Sequence, residues 1–246
     1  MKEVNLKDLS DLTGIGEIEF KLALDMDLDF ASTEEAKRAF KLAGYEHTKI
    51  DLILERWLQL CQTYDDYRDF CRQAPKASPL VITAGIKWIE TARTSQQAHA
   101  ICNFMHDEKE LYHHQCYKDA LGTWNAISKY EAVTAQTLDE AYAAFNNAPD
   151  RSEAKLLAME RRQALSTTFA DFKTLHNSAS YHREYNEFME NLPDRWIDVC
   201  VTIPQAQEVY KLTKDGTANR LKAIRKIYQL QAENLPPAVE EDNIPY

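Results

Sequence analysis

Residues 137–154 read TLDEAYAAFNNAPDRSEA and carry every signal of a helical hairpin. Thr137 followed three residues later by Glu140 is a capping box: the hydroxyl accepts from the N3 amide while the N3 carboxylate reaches back to the cap. Ala141, Ala144, Phe145 and Ala148 follow at offsets of 4, 7, 8 and 11 from Thr137, one apolar face of a helix. Ala148-Pro149 ends that helix, and Ser152 can cap a second. The stretch therefore predicts a helical hairpin with a short corner.

The same signature recurs outward in both directions. With Ser32, Thr63, Thr94, Thr137, Thr168 and Thr202 as position zero, the intervals are 31, 31, 43, 31 and 34 residues. Position +3 holds Glu35, Asp66, Gln97, Glu140, Asp171 and Gln205, so each repeat opens with a capped helix. Positions +4, +7, +8 and +11 read Ala36, Ala39, Phe40, Ala43; Tyr67, Phe70, Cys71, Ala74; Ala98, Ile101, Cys102, Met105 in the first three repeats. The later repeats continue with Phe172, Leu175, His176, Ala179 and Ala206, Val209, Tyr210, Thr213. Such small or apolar stripes suit close helix–helix contact. Gly44, Pro75, Pro149 and Ser180 stand at +12 as breakers, and Ser78 and Ser152 at +15 as second caps. A basic–Trp pair marks the second helix in three repeats, at Arg56-Trp57, Lys87-Trp88 and, after a three-residue insertion, Arg195-Trp196. The third repeat is longer by twelve residues, about three helical turns. The extra length falls near residues 120–135, which predicts an elongated second helix or a short helix following it, with Trp124 inside the insertion.

Composition agrees. Gly 6 and Pro 8 in 246 residues is half or less of the usual share of about 12%, which argues against sandwiches, barrels and doubly wound sheets with their many corners. Hydrophobic residues at 44% and charged residues at 28% suit a chain with a buried core. The balance of 29 Lys+Arg against 39 Asp+Glu, a net −10, opposes a general attraction to nucleic acid or anionic lipid. The first thirty residues carry acids through their apolar stretch, unlike a secretory leader, and no run of 18 apolar residues spans a bilayer. Cys61, Cys71, Cys102, Cys116 and Cys200 are odd in number and form no CxxC, as expected of reduced thiols in the cytoplasm; export by a signal-less route stays open.

The expected architecture is thus all-α, a solenoid of about six two-helix repeats over residues 32–231. A capping segment precedes it at 1–31, and an acidic, Pro-containing tail follows at 232–246. A two-helix unit cannot bury both faces alone, so neighbouring repeats would share one core. The pattern resembles the α-solenoid class of tetratricopeptide and HEAT-like repeats, although the unit is shorter than a tetratricopeptide and lacks its W-x-x-L-G-x-x-Y signature. The resemblance implies binding of a protein or peptide partner, and no chemistry or cofactor.

Several constellations carry residue types suited to chemistry. His99, Cys102, His106, Glu110 and His113 would share a face on one continuous helix and are suitable zinc or iron ligands; Glu110-Leu111-Tyr112-His113 also matches the E-x-x-H element of di-iron bundles. In the repeat register, however, His99 and His113 belong to different helices and Cys102 to the buried face, so no metal is expected. His113, His114 and Cys116 are too close in sequence to face one another. Gly14-Ile15-Gly16 is too short for a phosphate loop, and Asp25, Asp27 and Asp29 lack the Gly and terminal Glu of a calcium loop.

For binding, the candidates are a ladder of basic residues, Arg56, Lys87, Lys118, Arg161 or Arg162, Arg195 and Lys226, which could grip an acidic peptide or phosphates. The three Trp read as core aromatics. Arg220, Lys222, Arg225 and Lys226 make the last helix basic, opposite in sign to Glu240, Glu241 and Asp242 of the tail, which could fold back onto it. The leading expectation is a non-enzymatic scaffold. An enzyme or metal protein using residues 99–113 is the alternative, and a nucleic-acid-binding repeat the second.

Overall fold

The structure is a computed structural model and describes Ile18 and residues 29–43, 49–180 and 185–234. Gly14, Gly16, Asp25, Asp27, Gly44, most of the expected N-terminal cap and tail residues 235–246 lie outside the described residues. The fold is all-α and solenoid-like, with no strand among the described residues. The helices are α1 Thr33–Ala43, α2 Ile50–Leu60, α3 Tyr64–Gln73, α4 Pro79–Thr91, α5 Ser95–Asp107, α6 Lys109–Tyr112 and α7 Gln115–Thr134. They continue as α8 Leu138–Asn147, α9 Glu153–Leu165, α10 Phe169–Ser180, α11 Asn186–Asp198, α12 Ile203–Leu212 and α13 Ala218–Glu233.

The six predicted caps form. The side chains of Ser32, Thr63, Thr94, Thr137, Thr168 and Thr202 accept from the backbone N–H of Glu35, Asp66, Gln97, Glu140, Asp171 and Gln205 at 3.2–3.4 Å. Full reciprocal boxes close at Thr63, Thr137, Thr168 and Thr202. The second helices are capped by Ser78, with Pro79 at the first helical position, and by Ser152. The expected break at +12 holds at Pro75 and Pro149, and Gly44 lies outside the described residues. Ser180 is the last residue of α10, its hydroxyl turned back onto the Asn177 carbonyl, and α5 continues past His106 to Asp107.

Two compact units divide the chain, residues 1–127 and 128–246. In the first, α1 packs on α2, α2 on α3 and α4, α3 on α4, and α4 on α5. In the second, α8 packs on α9, α9 on α10, α10 on α11, and α11 on both α12 and α13. Neighbouring helices thus meet from α1 to α6 and, with α12 on α13, from α8 to α13, and second helices meet at α2–α4 and α11–α13. The stripe at +4, +7, +8 and +11 is buried almost throughout, with only Ala43, Tyr67, His176 and Tyr210 half-buried.

Trp57, Trp88 and Trp196 are core residues, each 1% exposed or less. Trp57 lies between Phe40 and Phe70, with ring centroids at 5.6 and 5.1 Å. Trp88 meets Tyr64 at 5.5 Å and Trp196 meets Phe169 at 5.4 Å, both partners standing at +1 of the same repeat. A fully buried aromatic of this kind contributes about 1.5–3 kcal/mol or more by area alone.

The long third repeat takes the first of its two expected forms. Its second helix, α7, is elongated to 20 residues, and a short helix, α6, precedes it. Trp124 sits on α7 and stacks on His99 at 4.4 Å with the rings 11° apart.

Candidate functional site

The chain's one buried guanidinium among the described residues emerges from the repeat register. Trp57 and Trp88 stand at +25, and Trp196 does so once the three-residue insertion is allowed for. In the fourth repeat the +25 residue is Arg162. It lies near the C-terminal end of α9, is 5% exposed, and places its Cζ 5.7 Å from the ring of Phe145 at +8. That repeats the 5.6 Å contact between Trp57 and Phe40, also +25 and +8. A second ring, Tyr142, lies 4.8 Å away, so the cation is held between two aromatic faces.

Backbone geometry fixes this pose. Ser166 at +29 donates its hydroxyl to the Arg162 carbonyl at 2.8 Å, as Cys61 and Cys200 donate their thiols to the Trp57 and Trp196 carbonyls at 3.3 and 3.5 Å. The last turn is thus closed the same way in three repeats.

What differs is the charge. Arg162 Nη1 is buried and has no hydrogen-bond partner, and no carboxylate forms an ion pair with the guanidinium among the described residues. Burial pushes the Arg162 pKa down, opposed only by Tyr142. A buried cation without a counter-charge is destabilising by several kcal/mol even after relaxation.

Arg162 borders a cleft of about 230 Å³ lined also by Leu138, Asp139, Tyr142, Ser166, Asp171 and Thr174. Three helix ends meet there: the starts of α8 and α10 and the end of α9. Asp171 is committed to its cap, one carboxylate oxygen accepting from the N–H of Thr167 and Thr168 at 3.1 and 2.9 Å. Those bonds outweigh burial and hold its carboxyl below the usual range. Asp139 is exposed at the mouth, and Tyr142 is 46% exposed.

The rest of the basic ladder is solvated or internally paired. Arg56 is exposed and bonds Gln59 at 3.2 Å; Lys87 is exposed and pairs with Glu90 at 3.1 Å. Lys118 and Arg195 are exposed and Lys226 half-buried. Arg161 donates from Nε to the Ala135 carbonyl at 2.6 Å. In the last helix, Lys222 contacts Asp194 and Asp198 at 2.9 and 2.8 Å. Arg220 reaches Asp215 at 2.8 Å and the Tyr210 hydroxyl at 2.7 Å. Two of the four basic residues singled out there are therefore neutralised within the fold.

The His and Cys members of the stripe are not brought together, and the Glu110 side chain lies outside the described residues. His99 lies on α5 against Trp124, His113 follows α6, and Cys102 is buried with its thiol pushed up to about 12 by desolvation. His106 is exposed beside Asp107. No group of three or more His, Cys, Asp or Glu that could hold a metal ion occurs among the described residues. Cys116 is buried, its backbone N–H 3.2 Å from His114 Nδ1, and burial raises its thiol pKa.

A second cleft, about 370 Å³, lies between α10, α11 and the start of α13, lined by His176, Met189, Glu190, Pro193, Lys214 and Asn219 among others. Its polar groups are mutually satisfied: Lys214 pairs with the Glu190 carboxylate, and Asn219 donates to the Glu190 carbonyl at 3.0 Å. Burial lowers the His176 pKa, which favours neutral imidazole.

No known protein family, curated protein or solved structure matches this chain. Fold and site alone define its class: an all-α chain of capped helical hairpins in a repeat-like arrangement. No helix among the described residues is long and apolar enough to cross a membrane.

Proposed function

We propose that this chain is a non-enzymatic scaffold of helical repeats that binds a protein or peptide partner. The observation that carries the proposal is Arg162. A position that three other repeats fill with a core Trp holds a buried, unpaired guanidinium opening on a cleft. Folding alone gains nothing from that exchange, since an apolar residue of similar volume would avoid the desolvation penalty. Binding would recover it, because an anionic group in the cleft supplies the counter-charge that the fold leaves out. The half-exposed Tyr142 ring beside it supplies the aromatic contact area that recognition surfaces favour.

The test is affinity capture from the native cell with the full chain and its Arg162→Met variant. A discrete partner retained by the parent chain and lost by a folded variant supports the reading. A parent chain that retains nothing beyond a charge-matched helical control removes it.

A further inference from the structure

Five features of the cleft narrow what it can take, and the narrowing rests on the scaffold reading above. The first is size: at about 230 Å³ the space is smaller than the roughly 300–1,000 Å³ of ordinary cofactor and metabolite sites, so it admits one residue-sized group. The second is the Arg162 side chain, which lines the cleft, is 5% exposed and forms no ion pair with a carboxylate among the described residues. A neutral ligand would leave the cation uncompensated, whereas an anion supplies the counter-charge.

The third feature is the pair of carboxylates in the lining, Asp139 and Asp171. They penalise a dianion more than a monoanion, which disfavours phosphate. The fourth is the exposed carboxylate of Asp139, which offers an acceptor to an N–H donor, while Asp171 is taken up by its cap. The fifth is the starts of α8 and α10, whose dipoles favour negative charge and outnumber the single opposing end of α9. A monoanionic oxygen pair with an amide N–H close by matches all five.

We propose that the cleft receives a single peptide carboxylate, with the Arg162 guanidinium as its counter-charge and exposed Asp139 accepting from the peptide's backbone N–H. The carboxylate can come from a chain terminus or from an acidic side chain, and the two sources are separable by experiment.

The full chain, labelled with 15N, is titrated with N-acetylglycine, whose carboxylate is terminal, and with N-acetylglutamate N-methylamide, whose carboxylate is on the side chain. N-acetylglycinamide and inorganic phosphate serve as neutral and dianionic controls. The expected result is saturable movement of the Arg162 Nε–H and Tyr142 amide signals with at least one carboxylate, about tenfold tighter than with either control. The tighter of the two carboxylate probes identifies the source. Arg162→Met should abolish the movement. Arg162→Lys, which keeps charge but loses the planar fork, should weaken it about threefold or more and serves if the Met variant does not fold.

Equal binding of N-acetylglycinamide, tighter binding of phosphate, no binding of either carboxylate, or undiminished binding by both variants overturns the proposal. Partner capture that depends on Arg162 without carboxylate binding would sink this inference and leave the scaffold reading standing. Carboxylate binding without any captured partner would do the reverse.

Discussion

Lys37 Nζ lies 2.6 Å from Asp69 Oδ2, 32 residues further along the chain, and the contact is repeated by Lys173 and Glu208 at 2.7 Å. In both cases +5 of one repeat meets +6 of a later one, the first pair within residues 1–127 and the second within 128–246. The repeat is therefore visible in side-chain contacts as well as in caps and core.

The Lys37–Asp69 pair sets a pH dependence. The hydrogen bond from Lys37 is the main cause that lowers the Asp69 pKa, and the bond to Asp69 is the main cause that raises that of Lys37. The carboxylate's contribution is thus present above its unfolded pKa of about 3.9 and lost as pH falls through the lower folded value. The ammonium's is present below about 10.4 and lost as pH rises through the higher folded value. With side chains 19% and 34% exposed, solvent screening limits the pair to about 0.5–1 kcal/mol. Urea unfolding of Lys37→Met should show that loss at pH 7 and almost none near pH 2, and Asp69→Asn should add little on the Lys37→Met background.

Each cap should carry its own increment. Thr63→Ala, Thr137→Ala and Thr202→Ala are each expected to cost about 0.5–2 kcal/mol, with Ser at the same sites close to the parent. Asp66→Ala should exceed Thr63→Ala, because Asp66 accepts from the N–H of Gln62 and Thr63 and also from the Thr33 hydroxyl of the preceding repeat at 3.3 Å. Denaturation midpoints of the four variants check the ranking.

All five thiols are buried and free. Desolvation pushes those of Cys61, Cys71 and Cys102 up to about 12 and that of Cys200 to about 11. Since the thiolate is the nucleophile, Ellman's reagent at pH 8 should release almost no colour from native protein. All five should react once the chain is unfolded. Fast reaction of any of these four in the native state would contradict the buried core described here.

Two glycines should respond oppositely to Ala. Gly122 is exposed in the interior of α7, and a Cβ there meets nothing within 4 Å. Gly122→Ala should stabilise by about 0.5–1 kcal/mol through helix propensity. Gly216 has φ +75° in the turn before α13, so Gly216→Ala should destabilise by about 1 kcal/mol. Thermal melts of the two variants should move in opposite directions.

The hairpins and their core were legible because each rests on short-range chemistry. A hydroxyl and an acid or amide three apart define a helix start, and offsets of 4, 7, 8 and 11 define a face. Less legible was α6: Lys109–Tyr112 is a single turn whose signal lies below what periodicity resolves. The site was half legible. Arg162 was picked out as one rung of a surface ladder, alongside Arg161 as an alternative. Successive residues on a helix point about 100° apart, so the step from Arg161 to Arg162 separates a rim position from the core slot of Trp57 and Trp88. Counting +25 from Thr137 would have placed Arg162 in that slot. That its guanidinium lacks a partner required the three-dimensional arrangement of α8, α9 and α10.

The most direct test of the central claim, that Arg162 is kept for binding at a cost to the fold, is the unfolding free energy of Arg162→Met. Replacing an uncompensated buried charge by an apolar side chain of similar volume should stabilise the chain by about 1–4 kcal/mol. A loss of about 3–5 kcal/mol, the signature of breaking a satisfied buried pair, would show that the guanidinium already has its partner within the fold and would contradict the account.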